Sequence, residues 1–311
     1  MAEHKLIFLM GPTASGKTET AMRLVDEFNG EIISVDSAMV YRDMDIGTAK
    51  PEPELLADYP HALIDLLDPL ESYSAAQFRI DALREIEAIQ QRGHTPILAG
   101  GTMLYYRALE YGLSPLPEAD PVVRQRLEQE AQDFGSEAMH ERLAEVDPES
   151  AARIHHNDPQ RLHRALEVYE LSGVPMSELW RQASEPLAQP PLKIALAPAE
   201  RVVLHQRIEQ RFDQMLKMGF IDEVEKLYTR GDLDVSLPSI RCVGYRQFWS
   251  YLADEWDQET AREKSIIATR QLAKRQMTWL RSEQELHWID PLEEQALDAV
   301  MKLVDKYIIK Y

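Results

Sequence analysis

Cysteine is nearly missing from this chain of 311 residues: Cys242 is the only one. A single thiol excludes an internal disulfide and a cysteine-built metal site. Long apolar runs are missing too. None approaches the length of a membrane span. The N-terminal stretch MAEHKLIFLMG holds only Leu6 to Met10 before a Gly-rich turn, so no signal peptide is read there. These absences point to a soluble, cytoplasmic protein. Positive charge is in short supply: 34 Lys and Arg stand against 53 Asp and Glu, a net charge of −19. Taken alone, that argues against a nucleic-acid partner. The deficit is uneven, however. From Lys264 to Arg281 there are five basic residues and no acidic one, whereas residues 116–147 are rich in Glu and Asp. A local basic face remains compatible with the acidic total.

What is present reads as an alternation of strands and helices. Residues 5–10 form an apolar strand, and 16–29 the helix after it. EIISVDS is a second strand ending at Asp36, and TPILAGGT a third, closing on a Gly pair. Residues 75–92 are an amphipathic helix with Ala75, Phe78, Ala82, Ile86 and Ile89 on one face. This alternation predicts a parallel sheet covered on both faces. After LSPLPEADP at 113–121 the pattern turns helical, with AEVDPES and HHNDPQ as turn-and-cap signals. KIALAP at 193–198 is another strand, followed by helices at 200–218, 220–230 and 257–281. The expected fold class is α/β: a P-loop NTPase-like parallel sheet core, 1–114 and 192–311, with a helical insertion domain at 115–191.

The first functional signal is Gly11-Pro12-Thr13-Ala14-Ser15-Gly16-Lys17-Thr18, set between a strand and a helix. Glycines let backbone N–H groups turn onto an anion, and the helix N-terminus adds its dipole. Lys17 adds a point charge, and Thr18 is placed to hold a magnesium ion. The motif reports a polyphosphate without saying which one. A kinase or NTPase would be expected to end a neighbouring strand in a metal-positioning Asp, and TPILAGG carries none. The second signal is Asp36. At the carboxyl end of a strand beside the first, it would face the same crevice as Lys17. There it is a base, a metal ligand or a turn cap.

GPTASGKT, ISVDSAMVYRDMDIGTAKP, AGGTMLYYRAL, DPQRLHRALEVYELSG, RCVGYRQ and ATRQLAKRQMTWLR together resemble the tRNA dimethylallyltransferases of the bacterial type, in order and over nearly the whole chain. The resemblance implies transfer of a dimethylallyl group from dimethylallyl diphosphate to the N6 amine of an adenosine. That adenosine lies just 3′ of the anticodon in tRNAs reading codons that start with U. The loop would then hold a diphosphate leaving group, with Mg2+ as cofactor. By the same resemblance Asp36 is the proton acceptor and Thr102 lies near the reacting groups. Arg124 and Arg211 are further candidates for meeting the diphosphate charge, each with a solvated helix charge as the competing reading.

The implied partners are the tRNA anticodon stem-loop and dimethylallyl diphosphate, bound by a monomer with no membrane attachment. The segments that match tRNA contacts are Asp36, Ser37, Ala38 and Met39; then Gln160, Arg161, Leu162, His163 and Arg164. Arg241, Cys242, Val243, Gly244, Tyr245 and Arg246 follow, with Lys274, Arg275 and Arg281 beside them. Arg270, Lys274 and Arg281 share a stripe flanking Ile266, Ala273, Met277 and Leu280, which are expected to face the core. Many relatives carry Gln where this chain has Met39, so backbone recognition is expected there. Eukaryotic relatives append a zinc finger; with one cysteine, no zinc is expected here. The rival readings are a P-loop small-molecule or nucleoside kinase, an isopentenyltransferase acting on free adenine nucleotides, and a tRNA-binding protein without catalysis.

Overall fold

β1 (Ile7–Met10) reads IFLM, and all four of its side chains are buried. It has no polar face because it runs inside a sheet covered on both sides. The structure, a computed structural model, describes residues 5–182 and 185–310. The chain divides into two compact units: residues up to Glu110 with those from Ala188 onward, and Tyr111–Leu187. The boundaries read from the sequence, 114/115 and 191/192, lie a few residues further along the chain.

In the first unit β1 leads to α1 (Lys17–Phe28) and β2 (Gly30–Val35). Then come α2 (Pro53–Asp58), a two-residue strand β3 (His61–Ala62), α3 (Ala75–Gln91), β4 (Thr95–Gly100) and α4 (Met103–Tyr111). α3 starts where Ser74 Oγ accepts from Gln77 N at 3.0 Å, and it buries Phe78, Ala82, Ile86 and Ile89 as the periodicity predicts.

The second unit holds α5 (Pro121–Val146), α6 (Pro148–Arg153), α7 (Pro159–Ser172) and α8 (Met176–Leu179). Asp120, Asp147 and Asp158 cap α5, α6 and α7, each followed by a proline in the first turn. The carboxylate satisfies orphan amides and the proline needs no partner there. The core of this unit gathers Leu127, Met139, Leu143, Leu162, Ala165 and Leu166.

The first unit resumes with β5 (Leu192–Leu196), α9 (Arg201–Lys217), α10 (Phe220–Thr229), α11 (Tyr245–Leu252), α12 (Gln258–Leu280), β6 (Leu286–Ile289) and α13 (Ala296–Lys310). The six strands are parallel, in the order β3-β2-β4-β1-β5-β6. Register places the site: Met10 lies opposite Gly100, and Gly100 opposite Val35. The carboxyl ends of β1, β4 and β2 are therefore level, and three loops leave the sheet side by side, where open α/β sheets bind ligands. One core, including Ile7, Leu24, Ile97, Ile194 and Val304, closes on the sheet. A second packs Phe212, Phe220, Tyr245 and Phe248 against Val40, Tyr41 and Met44, which follow β2.

Two expectations are corrected. β2 stops at Val35, so Asp36 belongs to the loop rather than to the strand. On α12 the buried stripe runs through Ile266, Ala273, Gln276 and Leu280, while Met277 is half-buried. An amide thus occupies the core face one residue before the thioether.

Candidate active site

The loop after β1 is shaped to present amides. Ala14 has φ 62° and Gly16 φ 90°, conformations that turn successive N–H groups to one side. Gly16 is also the N-cap of α1 and supplies no side-chain cap, so the first amides of α1 are left for an anion. Gly11 admits no side chain: a Cβ there would lie 2.3 Å from Leu196 O. Lys17 Nζ donates to Gly11 O at 2.9 Å, Pro12 O at 2.7 Å and Ser15 Oγ at 3.3 Å. These bonds fold the ammonium back over its own loop. Burial brings its pKa down to about 7, the Arg211 charge adds to that, and Asp36 opposes it. Thr18 is exposed in the first turn of α1.

Asp36 is the first residue after β2. Its Oδ1 accepts from Ala38 N at 2.8 Å and from Met39 N at 3.4 Å, while Oδ2 receives no hydrogen bond among the described residues. Burial raises its pKa above the ordinary Asp value; the Ala38 and Met39 amides, then Lys17 and Arg211, hold that rise back. Arg211, on α9, is lowered by burial and raised by Asp36. Lys17, Asp36 and Arg211 thus meet in one cleft, although 175 residues of chain separate the last two. Thr102 joins them: its Oγ1 accepts from Ser37 N at 3.1 Å and donates to Ser37 Oγ at 3.4 Å. Cys242 faces the same charge, its thiol pushed up to about 12 by burial and then by Asp36.

A carboxylate of α10 supports the loop beyond Asp36. Glu223 accepts from Asp45 N at 3.0 Å, Ile46 N at 2.7 Å and Gly47 N at 3.0 Å, and from Tyr245 Oη at 2.6 Å. Lys50 is buried and reaches Asp45 and Asp65, each at 2.5 Å, and Tyr41 O at 3.0 Å. Most of the DMDIGTAKP motif therefore serves to hold its own loop.

The remaining sequence candidates divide by exposure. Gln160, Arg161, Arg241, Arg246, Lys274, Arg275 and Arg281 are exposed, and Ser37 is too. Ala38, Met39, His163, Cys242 and Val243 are half-buried. Leu162 is 1% exposed and Tyr245 0%, and Gly244 is buried. The Leu162 side chain belongs to the helical core, and that of Tyr245 packs on Phe220 and bonds Glu223, so within these two segments neither side chain is at the surface. Arg124 and Arg164 share one buried partner inside the helical unit. Arg124 Nε donates to Glu167 Oε1 at 2.9 Å, and Arg164 Nη1 to Glu167 Oε2 at 2.7 Å. Arg270 is paired with Glu209 at 2.8 Å.

Gln276 joins the site without any motif to announce it. Its Oε1 accepts from Thr13 N at 3.0 Å and its Nε2 donates to Gly101 O at 2.8 Å. The available signal was a polar residue on the buried stripe of a helix.

Among the described residues no group of His, Cys, Asp and Glu could hold a metal ion unaided. The donors that could complete a site are the Thr18 hydroxyl and, were a polyphosphate bound in the loop, its oxygens. That suits a hard cation that keeps several of its waters, as magnesium does.

The fold and cleft define a phosphate-loop α/β enzyme in which a carboxylate, Asp36, faces the cradle beside Lys17 and Arg211. The family described as "IPP transferase" matches residues 39–283. A tRNA dimethylallyltransferase of Thioalkalivibrio sulfidiphilus is 62% identical over 293 residues, 94% of this chain and 91% of that protein. A full-length tRNA isopentenylpyrophosphate transferase from Bacillus halodurans superposes with TM-score 0.73 at 38% identity, covering 99% of this chain and 98% of its own. A eukaryotic dimethylallyltransferase described as acting on tRNA gives TM-score 0.82 at 26% identity, over 98% and 80% of the two chains. The chain belongs to the IPP transferase family.

Proposed function

We propose that this protein transfers a dimethylallyl group from dimethylallyl diphosphate to the N6 amine of the adenosine 3′-adjacent to the anticodon, in tRNAs reading codons that start with U, and releases diphosphate. The observation that carries the reading is the cleft shared by Asp36 and the phosphate loop. An adenine N6 amine is a weak nucleophile because its lone pair is delocalised into the ring. As its nitrogen bonds to the allylic carbon, the bond from that carbon to the diphosphate oxygen breaks. The proton released from nitrogen goes to Asp36, whose raised pKa suits a general base. Charge gathers on the departing diphosphate, where the amides of the Gly11–Thr18 loop, Lys17 and Arg211 meet it. Thr18 and the diphosphate oxygens would hold Mg2+, which neutralises part of that charge when bound.

The adenosine has to leave the anticodon-loop stack to reach Asp36, which in single-stranded RNA costs a few kcal/mol. Exposed cations on α12, on α7 and at 241–246 are the candidate contacts that offset this cost. Mass-spectrometric analysis of anticodon stem-loops incubated with protein, magnesium and dimethylallyl diphosphate tests the reading. Addition of one dimethylallyl group to the base beside the anticodon is expected. ATP hydrolysis or nucleoside phosphorylation, with no use of dimethylallyl diphosphate, would replace this reading with a kinase.

A further inference from the structure

Gln276 sits on the buried face of α12, 8% exposed, and both ends of its amide are used. Its partners are Thr13 N, in the phosphate loop, at 3.0 Å and Gly101 O, in the turn that carries Thr102, at 2.8 Å. From that turn the bonding continues. Gly101 N and Thr102 N both donate to Val35 O, at 3.2 and 3.1 Å, and Thr102 Oγ1 accepts from Ser37 N at 3.1 Å. Val35 and Ser37 flank Asp36 in the chain. A series of hydrogen bonds therefore runs from the phosphate loop through the Gly101–Thr102 turn to the backbone on either side of Asp36, and Gln276 is the link between the phosphate loop and that turn. The gap it fills is closed: a Cβ on Gly101 would lie 2.4 Å from Nε2. An amide suits the place because the gap offers one donor and one acceptor, and a buried polar group is tolerated only when so paired.

We propose that Gln276 is a positioning residue for the transfer, fixing the separation between the phosphate loop and Asp36. It acts through Thr13 and Gly101, and the inference rests on the prenyl-transfer reading above. Leaving oxygen, allylic carbon and amine nitrogen have to line up between the two loops. Misplacement by about 1 Å, even from a distant change, costs up to ~10²-fold in rate.

Two variants test this. Gln276→Met removes both hydrogen bonds at similar volume. Gln276→Glu keeps the shape and the acceptor for Thr13 but loses the donor to Gly101, and carries the test should Gln276→Met not fold. For each, single-turnover prenylation of a stem-loop is measured at saturating dimethylallyl diphosphate. Stem-loop affinity is measured by anisotropy, inorganic diphosphate affinity by calorimetry, and folding by thermal melts. The rate is expected to fall ~10–10²-fold in both variants. Both affinities are expected to stay within about threefold of wild type, the pattern of an interaction used only in the transition state. A folded variant with a rate within about twofold of wild type overturns the inference. So does a rate loss matched by an equal loss of diphosphate affinity, which would make Gln276 a brace of the loop alone. A wild type that fails to prenylate the stem-loop overturns the prenyl-transfer reading itself. A wild type that succeeds beside unaffected variants overturns only the role of Gln276.

Discussion

The two oxygens of Asp36 are placed differently. Oδ1 closes a turn through the Ala38 and Met39 amides, as a capping Asp does, and Oδ2 is the oxygen that the proposed transfer would use as the proton acceptor. Asp36→Asn keeps the cap but cannot take a proton. Its single-turnover rate is expected to fall ~10²–10⁴-fold, with little change in stem-loop affinity. Raising magnesium should restore little of that rate; substantial recovery would make Asp36 a metal ligand instead. Lys17 shows the other side of the same cleft. With its pKa brought down to about 7, the free protein above that pH holds it largely neutral. A bound diphosphate favours the ammonium, so binding takes up a proton there. Affinity is therefore expected to fall as pH rises through 7, by up to ~10-fold per unit from this one group. Calorimetry of a dimethylallyl diphosphate analogue in buffers of different ionisation heat reads the proton uptake. Lys17→Met should abolish it, and an unchanged uptake in the variant would assign the proton to the ligand. Lys17→Ala should also cost ~10²–10³ in rate by removing charge that faces the leaving group.

At the level of elements, α10 anchors the loop that follows Asp36. Glu223 gathers three part-buried backbone amides and the buried Tyr245 hydroxyl, so its removal leaves that hydroxyl stranded and the amides without their acceptor. Glu223→Ala is expected to destabilise the fold by at least ~1–3 kcal/mol, the cost of one stranded buried group, as read from urea melts. Unchanged stability would mean that the loop holds its shape without this carboxylate. The capping motifs act more simply. DPES and NDPQ mark helix starts because the carboxylate and the proline serve the same first turn, and the structure has helices there. β6 and α13 had no comparable mark. β6 is a four-residue strand with His287 and Trp288 exposed, and it is a strand because β5 offers it an edge.

Across the whole molecule the net charge of −19 makes RNA binding depend on where the cations lie. Arg161, Lys274 and Arg281 are exposed. Replacing any of them with Ala is expected to weaken stem-loop binding and to lower the slope of log affinity against log salt by roughly 0.7–0.9. Arg164→Ala, by contrast, should act on stability, since its guanidinium is held by Glu167 and Pro117 O. A full salt-slope change for Arg164 with an unaltered melt would reverse that assignment.

Some features were settled by the chain alone because each is written within a few consecutive residues. The phosphate loop needs only Gly11 to Thr18 between a buried strand and a helix, and the central strands announce themselves as unbroken apolar runs. Helical periodicity likewise named most of the face that α3 buries. Periodicity tells which side of an element is covered, but not what covers it. It could not say that Arg211 on α9 comes to Lys17 and Asp36, or that Arg124 is engaged by Glu167. Nor could it say that Leu162 and Tyr245, inside motifs that look like RNA contacts, are core residues. Gln276 is the sharpest case. Its polarity on a buried stripe made no sense until the fold brought Thr13 and Gly101, 88 residues apart in the chain, to opposite ends of one side-chain amide. Hydrogen-bond partners contributed by distant loops are set by packing, and only the tertiary structure decides them.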